Sequence, residues 1–283
     1  MNTKTWDDLA DVENLKSQPK SLLLIDGNNL AYRWLQRKNY NSFQDDYLRT
    51  IESLAKSYNA ERTIVSFDFG KSYYRMELLE SYKGNRTKPQ EEEEKKHYEE
   101  FFNCLNDIPN ILPYQTLKFR GLEADDIITF LVQNISPNYD HTWIITSDRD
   151  MYQLLSDKVS IFNIFSRKEI DFNTFLEEYK LTPEEYLFSR ILEGDKSDNI
   201  LGVEGIGPKR AQQLAKEYKT LDNLLKSLPI KGKAKYINNL NASKEKLLVN
   251  EQLISLKKYN QKVVDYAKDG KEVWEVLCEL QGH

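Results

Sequence analysis

Aspartates follow several of the short apolar runs in this sequence. Three short apolar runs each end at or just before an aspartate, and these are Asp26, Asp68 and Asp148. Taken singly, an aspartate after such a run is commonly a turn former or a helix N-cap. Three of them in the same position favour a shared acidic crevice over three separate caps.

Further acids cluster in short segments. One segment, just ahead of an apolar helical pattern, carries more acids than a helix N-cap needs: Glu123, Asp125 and Asp126. Two other segments pair acids at close spacing: Asp148 with Asp150, and Asp195 with Asp198. The second spacing, i and i+3, places both side chains on one face of a helical turn.

Nine carboxylates in one crevice require counter-charges. Repulsion between two of them about 4 Å apart is roughly 4 kcal/mol at an effective dielectric of about 20, so they either protonate or surround cations. Hard divalent ions such as Mg²⁺ prefer oxygen ligands, and two ions about 4 Å apart can clamp the attacking and leaving oxygens of a phosphodiester. Calcium storage is the weaker alternative because the sequence has no EF-hand loop.

Buried strands are the elements that must position these acids. The apolar runs 21–25, 63–67 and 141–146 predict strands, and helical spacing fills the segments between them. Strands that alternate with helices indicate an α/β fold with a largely parallel sheet covered on both faces. Ligands bind beyond the carboxyl ends of such strands, where the three aspartates would meet. From about residue 183 onward the pattern is helical.

The C-terminal third is basic although the whole chain has a net charge of −5. Residues 202–260 hold 12 Lys and Arg against 5 Asp and Glu. A glycine-rich turn there precedes a helical pattern, whose exposed amides can bind a backbone phosphate. The predicted contacts are Gly202, Gly205, Gly207, Lys209 and Arg210, followed by a basic loop with Lys231, Lys233 and Lys235. For that second loop, ordinary solvated surface is the alternative.

A short segment ahead of the polar stretch 83–100 also fits phosphate chemistry. Lys83 and Arg86 could neutralise charge that develops on a phosphoryl group, and Tyr82 could stack on a base. A plain surface turn is the alternative. The polar stretch itself indicates either a solvated loop with a polar helix or an exposed arch.

Composition excludes several classes of protein. With 283 residues and 40% hydrophobic content, the chain can bury a core. Two cysteines make no disulfide framework, and three dispersed histidines argue against a zinc site. No signal peptide or apolar run of about 20 residues is present. We therefore expect a cytoplasmic protein with no membrane partner.

Taken in order, these motifs resemble the 5′-nuclease (flap endonuclease) family, and within it the stand-alone phage enzymes. The resemblance extends over about residues 20–260. It is carried by DGNN from Asp26, Asp68, YKGNR from Tyr82, GLEADD from Gly121, SDRD from Ser147, GDKSDN from Gly194 and GVEGIG from Gly202. One departure is Arg149, which stands where close relatives often carry glycine.

The resemblance implies a PIN-like 5′-nuclease fold with a helical arch and a C-terminal helix–three-turn–helix. It divides the chain into a polar segment 1–20, an α/β catalytic domain 21–185 and an all-α DNA-binding region 186–283. The arch would span about 83–108, and the helix–three-turn–helix about 190–220.

The resemblance also implies the site and its cofactors. One metal ion would be held by Asp26, Asp68, Glu123, Asp125 and Asp126. A second would be held by Asp148, Asp150, Asp195 and Asp198. Lys83 and Arg86 would be catalytic cations, and Arg33 a basic DNA contact behind Asp26. The ions would be two Mg²⁺, with Mn²⁺ able to substitute, and a K⁺ held by carbonyls of the glycine-rich turn.

The implied activity is structure-selective, metal-dependent hydrolysis of 5′-flap or 5′-ended duplex DNA by a two-metal mechanism. Such an enzyme would leave 5′-phosphate and 3′-hydroxyl ends and would remove RNA primers. Its partners would be branched DNA and RNA–DNA hybrids, and it would act as a monomer. Two alternatives stay open from the residues: a PIN-like ribonuclease, and a nucleic-acid-binding module without catalysis.

Overall fold

The computed structural model describes residues 20–35, 40–86, 91–267 and 270–281. Except for residue 20, the polar segment 1–20 lies outside the described residues. The strands are β1 Ser21–Asp26, β2 Ala60–Ser66, β3 Gln115–Leu117, β4 His141–Ile145, β5 Val159–Asn163, β6 Lys168–Ile170, β7 Gly194–Asp195 and β8 Ile200–Leu201. The helices are α1 Gly27–Ala31, α2 Phe43–Ser57, α3 Tyr73–Leu78, α4 Glu92–Ile111, α5 Ala124–Asn134, α6 Phe172–Tyr179, α7 Pro183–Glu193, α8 Pro208–Tyr218, α9 Leu221–Ser227, α10 Lys235–Asn241, α11 Lys244–Ile254, α12 Leu256–Tyr266 and α13 Gly270–Gln281. Short 3₁₀ turns cover Tyr32–Trp34, Ser136–Asn138 and Arg149–Leu154.

Within the described ranges, one six-stranded sheet has the order β3-β2-β1-β4-β5-β6. Neighbouring strands pair in parallel except for β6, which is antiparallel to β5. The three strands expected from the sequence are β2, β1 and β4, which lie side by side in the centre. The predicted α/β fold class with a largely parallel sheet is confirmed.

Both faces of the sheet are buried, which explains the unbroken apolar run of β1. Leu22 and Leu24 face a core that includes α5, and Leu23 and Ile25 face a second core formed with α2 and α4. Because helices cover both faces, every position of the strand must be apolar. The central strands are therefore held firmly, and their carboxyl ends are fixed relative to one another.

The helical region is joined closely to the α/β domain. Helix α7 begins at Pro183, so the boundary expected after residue 185 falls inside this helix. A core of its own forms between α7 and α8, around Leu192 and Ala211. Helix α12, however, packs on α5, where the amide of Asn260 donates to the carbonyl of Asp126 at 2.8 Å. The C-terminal third therefore supports the sheet domain as well as carrying a separate core.

Helix α4 fills most of the predicted arch segment 83–108. Residues 87–90 of that segment lie outside the described residues. The first half of α4 is mostly exposed, whereas Phe101, Leu105 and Ile108 are buried against the sheet. The second half of the segment thus packs as an ordinary core helix. Among the described helices, none is long and apolar enough to span a membrane.

Candidate active site

The three strand-end aspartates meet at one edge of the sheet. Asp26 ends β1 and caps α1, accepting from the Asn29 amide at 3.0 Å. Asp68 follows β2 and accepts from the amide of Ala124 at 2.8 Å, which ties the start of α5 to the strand. Asp148 follows β4 and caps the next turn. The parallel order of β2, β1 and β4 brings the three carboxylates together.

Eight of the nine candidate acids line two adjoining cavities. The first, of about 160 Å³, is lined by Asp26, Asp68, Glu123, Asp125 and Asp148. The second, of about 420 Å³, is lined by Asp125, Asp148, Asp150, Asp195 and Asp198. Both cavities share Lys83, Arg86, Asp125 and Asp148. The acids therefore form a double crevice with two cationic side chains on its common wall.

Burial and mutual repulsion make this crevice costly for ionised acids. Burial, and then the charge of Asp68, raises the pKa of Asp26 to about 7. Burial, and then Asp148, raises the pKa of Asp150 to about 7. The pKa of Asp125 is also raised, and its buried Oδ1 has no hydrogen-bond partner among the described atoms. Divalent cations would satisfy that oxygen and offset the repulsion, so the donor set fits them.

Cations already pair with several of the acids. The Lys83 ammonium lies 2.6 Å from Glu123 and 3.8 Å from Asp198, and the Arg86 guanidinium donates to Asp198 at 2.8 Å. Burial raises the pKa of Glu123, but Lys83 and Arg75 outweigh it and leave this pKa below its ordinary value. In the second cavity Arg190 donates to Asp195 at 2.6 Å. These pairs keep part of the acid cluster ionised.

A tight turn holds Lys83 at the crevice. Lys83 has a positive φ of 52°, and its amide donates to the carbonyl of Asp198 at 2.9 Å. The Lys71 ammonium donates to the carbonyls of Tyr82 and Lys83 at 2.8 and 3.2 Å. The turn is thus fastened to both domains, which explains why its cation faces both cavities.

Asp126 differs from the other eight acids. It is fully buried, lines neither cavity, and accepts from Arg75 through both oxygens at 2.7 and 2.9 Å. Three carboxylate oxygens, one each from Glu123, Asp125 and Asp126, lie within 4.8 Å of one another. Distance alone would therefore permit these residues to share an ion. Since Arg75 already occupies its oxygens, the structure favours a buried ion pair for Asp126. A ligand role for it stays a prediction.

Arg75 and Arg190 are functional candidates that the sequence did not reveal. Arg75 is 2% exposed, contacts Glu123 at 3.1 Å, and donates through Nε to the carbonyl of Leu253 at 3.0 Å. It therefore links the acids to helix α11. Neither arginine belongs to a motif, and a single cation in a helical pattern gives no sign of being buried.

The position of Tyr82 does not favour the stacking of its ring on a base, which stays a prediction. Its ring is 1% exposed and belongs to the core of the helical region. Its hydroxyl donates to Glu123 at 2.8 Å and contacts Asp198 at 3.2 Å. The tyrosine therefore holds acids of the two cavities in place, and no face of its ring is open to a nucleobase.

Arg33 does not line either acid cavity. It borders a separate cavity of about 610 Å³, together with Arg49 and Arg167. Its guanidinium carbon lies 5.2 Å from the centre of the Trp34 ring. A DNA contact by Arg33 stays a prediction, and it would be made outside the acid crevice.

The glycine-rich turn connects β8 to α8 and faces a second basic loop. A Cβ on Gly202 would lie 2.0 Å from the carbonyl oxygen of Glu193, so no larger residue fits there. Arg210 donates to the carbonyl of Gly205 and stacks 4.1 Å from the centre of the Tyr236 ring. Gly207 and Lys209 lie where the turn meets α8, and Lys235 at the start of α10 pairs with Glu204 at 2.7 Å. Lys231 and Lys233 are exposed in the loop before α10. Contacts of these residues with a phosphate backbone stay predictions.

Comparison with known proteins agrees with this geometry over nearly the whole chain. Residues 21–180 match the 5′-3′ exonuclease N-terminal resolvase-like domain, and residues 181–269 match the 5′-3′ exonuclease C-terminal SAM fold. The chain belongs to the 5′-3′ exonuclease family. A flap endonuclease of Escherichia phage T5 is 39% identical over 264 residues, which cover 91% of each chain. A 5′-3′ exonuclease of Bacillus subtilis is 32% identical over 225 residues, or 74% of each chain.

Solved structures of this family superpose on the chain. The phage T5 protein crystallised with metal ions has a TM-score of 0.86 and 38% identity, covering 92% of this chain and 99% of that one. A complex of the phage T5 flap endonuclease with DNA and metal ions has a TM-score of 0.88 and 37% identity. The match covers 93% of this chain and 100% of that one. The predicted helix–three-turn–helix therefore corresponds to the SAM fold of the 5′-3′ exonuclease family.

Proposed function

We propose that this protein is a divalent-metal-dependent 5′ nuclease that acts on DNA as a flap endonuclease and 5′-3′ exonuclease. One observation carries the proposal: a double crevice of eight acids, with two cations on its shared wall, lies beside a basic helical region. The crevice suits phosphodiester hydrolysis, and the helical region suits a duplex backbone. The phage T5 relative, a flap endonuclease solved with DNA and metal ions, supports the same function.

Each cavity would hold one divalent ion. The ligands would be Asp26, Asp68, Glu123 and Asp125 in the first, and Asp148, Asp150, Asp195 and Asp198 in the second, with Asp125 and Asp148 near both. When bound, Mg²⁺ or Mn²⁺ would lower the pKa of an attacking water and neutralise charge on the phosphoryl group. The raised pKa values and the unpartnered Asp125 oxygen support this assignment.

Lys83 and Arg86 would bind the non-bridging oxygens of the scissile phosphate. Their present partners are Glu123 and Asp198, and a phosphate entering the crevice would compete for the same donors. Such fixed cations stabilise charge that develops on phosphorus during hydrolysis. Cleavage would leave the phosphate on the 5′ end of the product and a hydroxyl on the 3′ end.

The turn before α8 would bind the duplex part of the substrate. Helix α8 starts with Pro208, Lys209 and Arg210, which places the amide of Lys209 and two cations directly after the turn. These groups contact phosphates without reading bases, which suits selection by DNA shape. The K⁺ ion, the use of RNA–DNA hybrids in primer removal, and a monomer acting in the cytoplasm stay predictions.

The experiment that tests this function compares two substrates. A 5′-flap DNA duplex and a single-stranded RNA are incubated with the protein in Mg²⁺, with EDTA as the control. We expect cleavage of the flap near its junction, none in EDTA, and little cleavage of the RNA. Preferential cleavage of the RNA would support a PIN-like ribonuclease, and binding without cleavage of either substrate would support a module without catalysis.

A further inference from the structure

Phe69 is a large apolar side chain exposed directly beside the acids. It follows Asp68 in the chain, and 42% of it is exposed. Its amide donates to the carbonyl of Leu122 and its carbonyl accepts from the amide of Gly121, both at 3.2 Å. The loop after β2 is thereby fixed to the loop that leads to Glu123, so the ring is presented from a rigid backbone.

Two cations flank this ring. The Lys118 ammonium lies 5.4 Å and the Arg120 guanidinium carbon 5.3 Å from the ring centre. Lys118 also donates to the side-chain oxygen of Asn106 on α4 at 3.3 Å, which helps to hold the ammonium near the ring. We call Phe69, Lys118 and Arg120 the aromatic platform. Its combination of an exposed ring with two positive charges matches the chemistry of a base joined to a phosphate.

A cavity of about 490 Å³ extends from Lys118 of the aromatic platform to the acid crevice. Its lining includes Lys118 at one end and Asp68, Lys83 and Glu123 at the other. Phe69 is not part of the lining itself, but both of its chain neighbours, Asp68 and Gly70, are. The volume lies within the range of about 300–1,000 Å³ typical of pockets for small organic ligands. A strand whose scissile phosphate lies at the acids and whose neighbouring nucleotide follows this cavity would therefore reach Lys118 and the Phe69 ring beside it.

We propose that the aromatic platform binds an unpaired nucleotide of the single-stranded flap, next to the scissile phosphate. The base stacks on Phe69, and the adjacent phosphates approach Lys118 and Arg120. A base inside a duplex cannot do so, because both of its faces are already stacked on its neighbours. This inference rests on the proposed nuclease function and adds the part of the site that recognises the single strand.

The other rings near the crevice are less suited to this role. Tyr32 lines the same cavity, but its ring is stacked on Phe101 at 6.0 Å between centres and 25° between planes. Tyr82 is buried. Phe67 and Phe102 also line the cavity, but Phe67 is 2% exposed and the Phe102 ring contacts Tyr98 and Phe101 at 4.5 and 5.2 Å between centres. Phe69, next to the lining residues Asp68 and Gly70, is exposed and has two flanking cations.

The test uses Phe69→Leu, which keeps the apolar side chain but removes the ring. The matched control is Phe165→Leu, the same change at a phenylalanine 55% exposed in the turn between β5 and β6, outside this cavity. The probe is a 5′-flap duplex with 2-aminopurine at the first unpaired position, bound in EDTA so that no cleavage occurs. A blunt duplex of the same length serves as the second ligand.

We expect the wild-type protein and Phe165→Leu to quench 2-aminopurine fluorescence and to bind the flap equally well. Phe69→Leu should lose the quenching and bind the flap about 10-fold more weakly, the scale of one lost base–aromatic stack. Its binding to the blunt duplex should not change. Lys118→Gln, an exchange at a surface cation, should weaken flap binding in the same selective way.

Undiminished quenching and flap affinity in both Phe69→Leu and Lys118→Gln would overturn the aromatic platform. Equal weakening for flap and blunt duplex would overturn it too, because the effect would then not concern the unpaired base. Flap cleavage by the wild-type protein in Mg²⁺, measured alongside, tests the proposed function separately. Wild-type cleavage combined with unchanged binding by the variants rejects the platform alone, whereas absent wild-type cleavage rejects the nuclease.

Discussion

Single side chains decide both the chemistry and the stability of this site. Asp148 and Asp150 line the second cavity two residues apart, and the 3₁₀ turn that begins between them fixes their spacing. Arg190 lies 3.5 Å from Asp150, which leaves most of the charge of this pair without compensation. We therefore expect the pair to hold a metal ion rather than to contact DNA phosphates, which carry the same charge.

Replacing Asp148 and Asp150 together with Asn should therefore separate binding from cleavage. The amides keep the size of the side chains but remove two negative charges that would hold a divalent ion. We expect flap affinity to be retained and cleavage to slow at least about 100-fold, or about 2.7 kcal/mol of barrier. Single-turnover cleavage and binding in EDTA measure the two effects. Near-normal cleavage would remove both residues from the site.

Arg75 should be essential to stability because it compensates two buried acids. Arg75→Met would leave Asp126 without its partner, and breaking a buried ion pair on one side costs about 3–5 kcal/mol. We expect the free energy of unfolding of Arg75→Met, measured by urea denaturation, to be lower than that of the wild type by this amount. Arg75→Met combined with Asp126→Leu should recover part of it, since no buried charge is then left alone. If the single variant is as stable as the wild type, the ion pair has no structural role.

Among the secondary-structure elements, the turn before α8 should contribute to duplex binding but not to the cleavage step. Lys209 and Arg210 lie at the start of α8, away from the residues lining both acid cavities. Lys209→Ala should weaken binding of flap and blunt duplexes alike and lower the slope of log affinity against log salt by about 0.9 per lost phosphate contact. Cleavage at saturating substrate should be unchanged. An unaltered salt slope would place Lys209 outside the interface.

The elements near the centre of the sheet could be predicted from the sequence, and those at its edges could not. β1 and β4 are apolar runs because both faces of the sheet are covered. β3 and β6 have three residues each, and β6 contains Lys168 and Glu169, so neither gives an apolar pattern. That the strand-end aspartates lie close together could be predicted, because neighbouring parallel strands have their carboxyl ends at the same edge of the sheet. The burial of Arg75 and Tyr82 could not, because it results from packing between α/β and helical regions.

For the whole molecule, the acid crevice makes stability depend on pH and metal. The pKa of Asp26 is raised from 3.8 to about 7, so the folded protein holds extra protons between these values. Stability of the metal-free protein should therefore fall as pH rises from about 4 to about 7. Mg²⁺ requires the ionised acids, so it should raise the melting temperature more at about pH 8 than at about pH 5.

Thermal unfolding with and without Mg²⁺ at the two pH values measures this effect. The combined variant Asp26→Asn and Asp150→Asn is the control, because it removes two acids whose pKa values are raised to about 7. The melting temperature of this variant should depend much less on pH and should rise much less on addition of Mg²⁺ than that of the wild type. An equal metal response at both pH values would show that these acids do not bind the ion.

The most direct measurement is anomalous scattering from crystals of the protein grown with Mn²⁺. We expect two manganese peaks, one between Asp26, Asp68 and Asp125 and the other between Asp148, Asp150 and Asp195, with Asp126 still paired to Arg75. If crystals that contain Mn²⁺ show no peak in either cavity, the acid crevice is not a metal site.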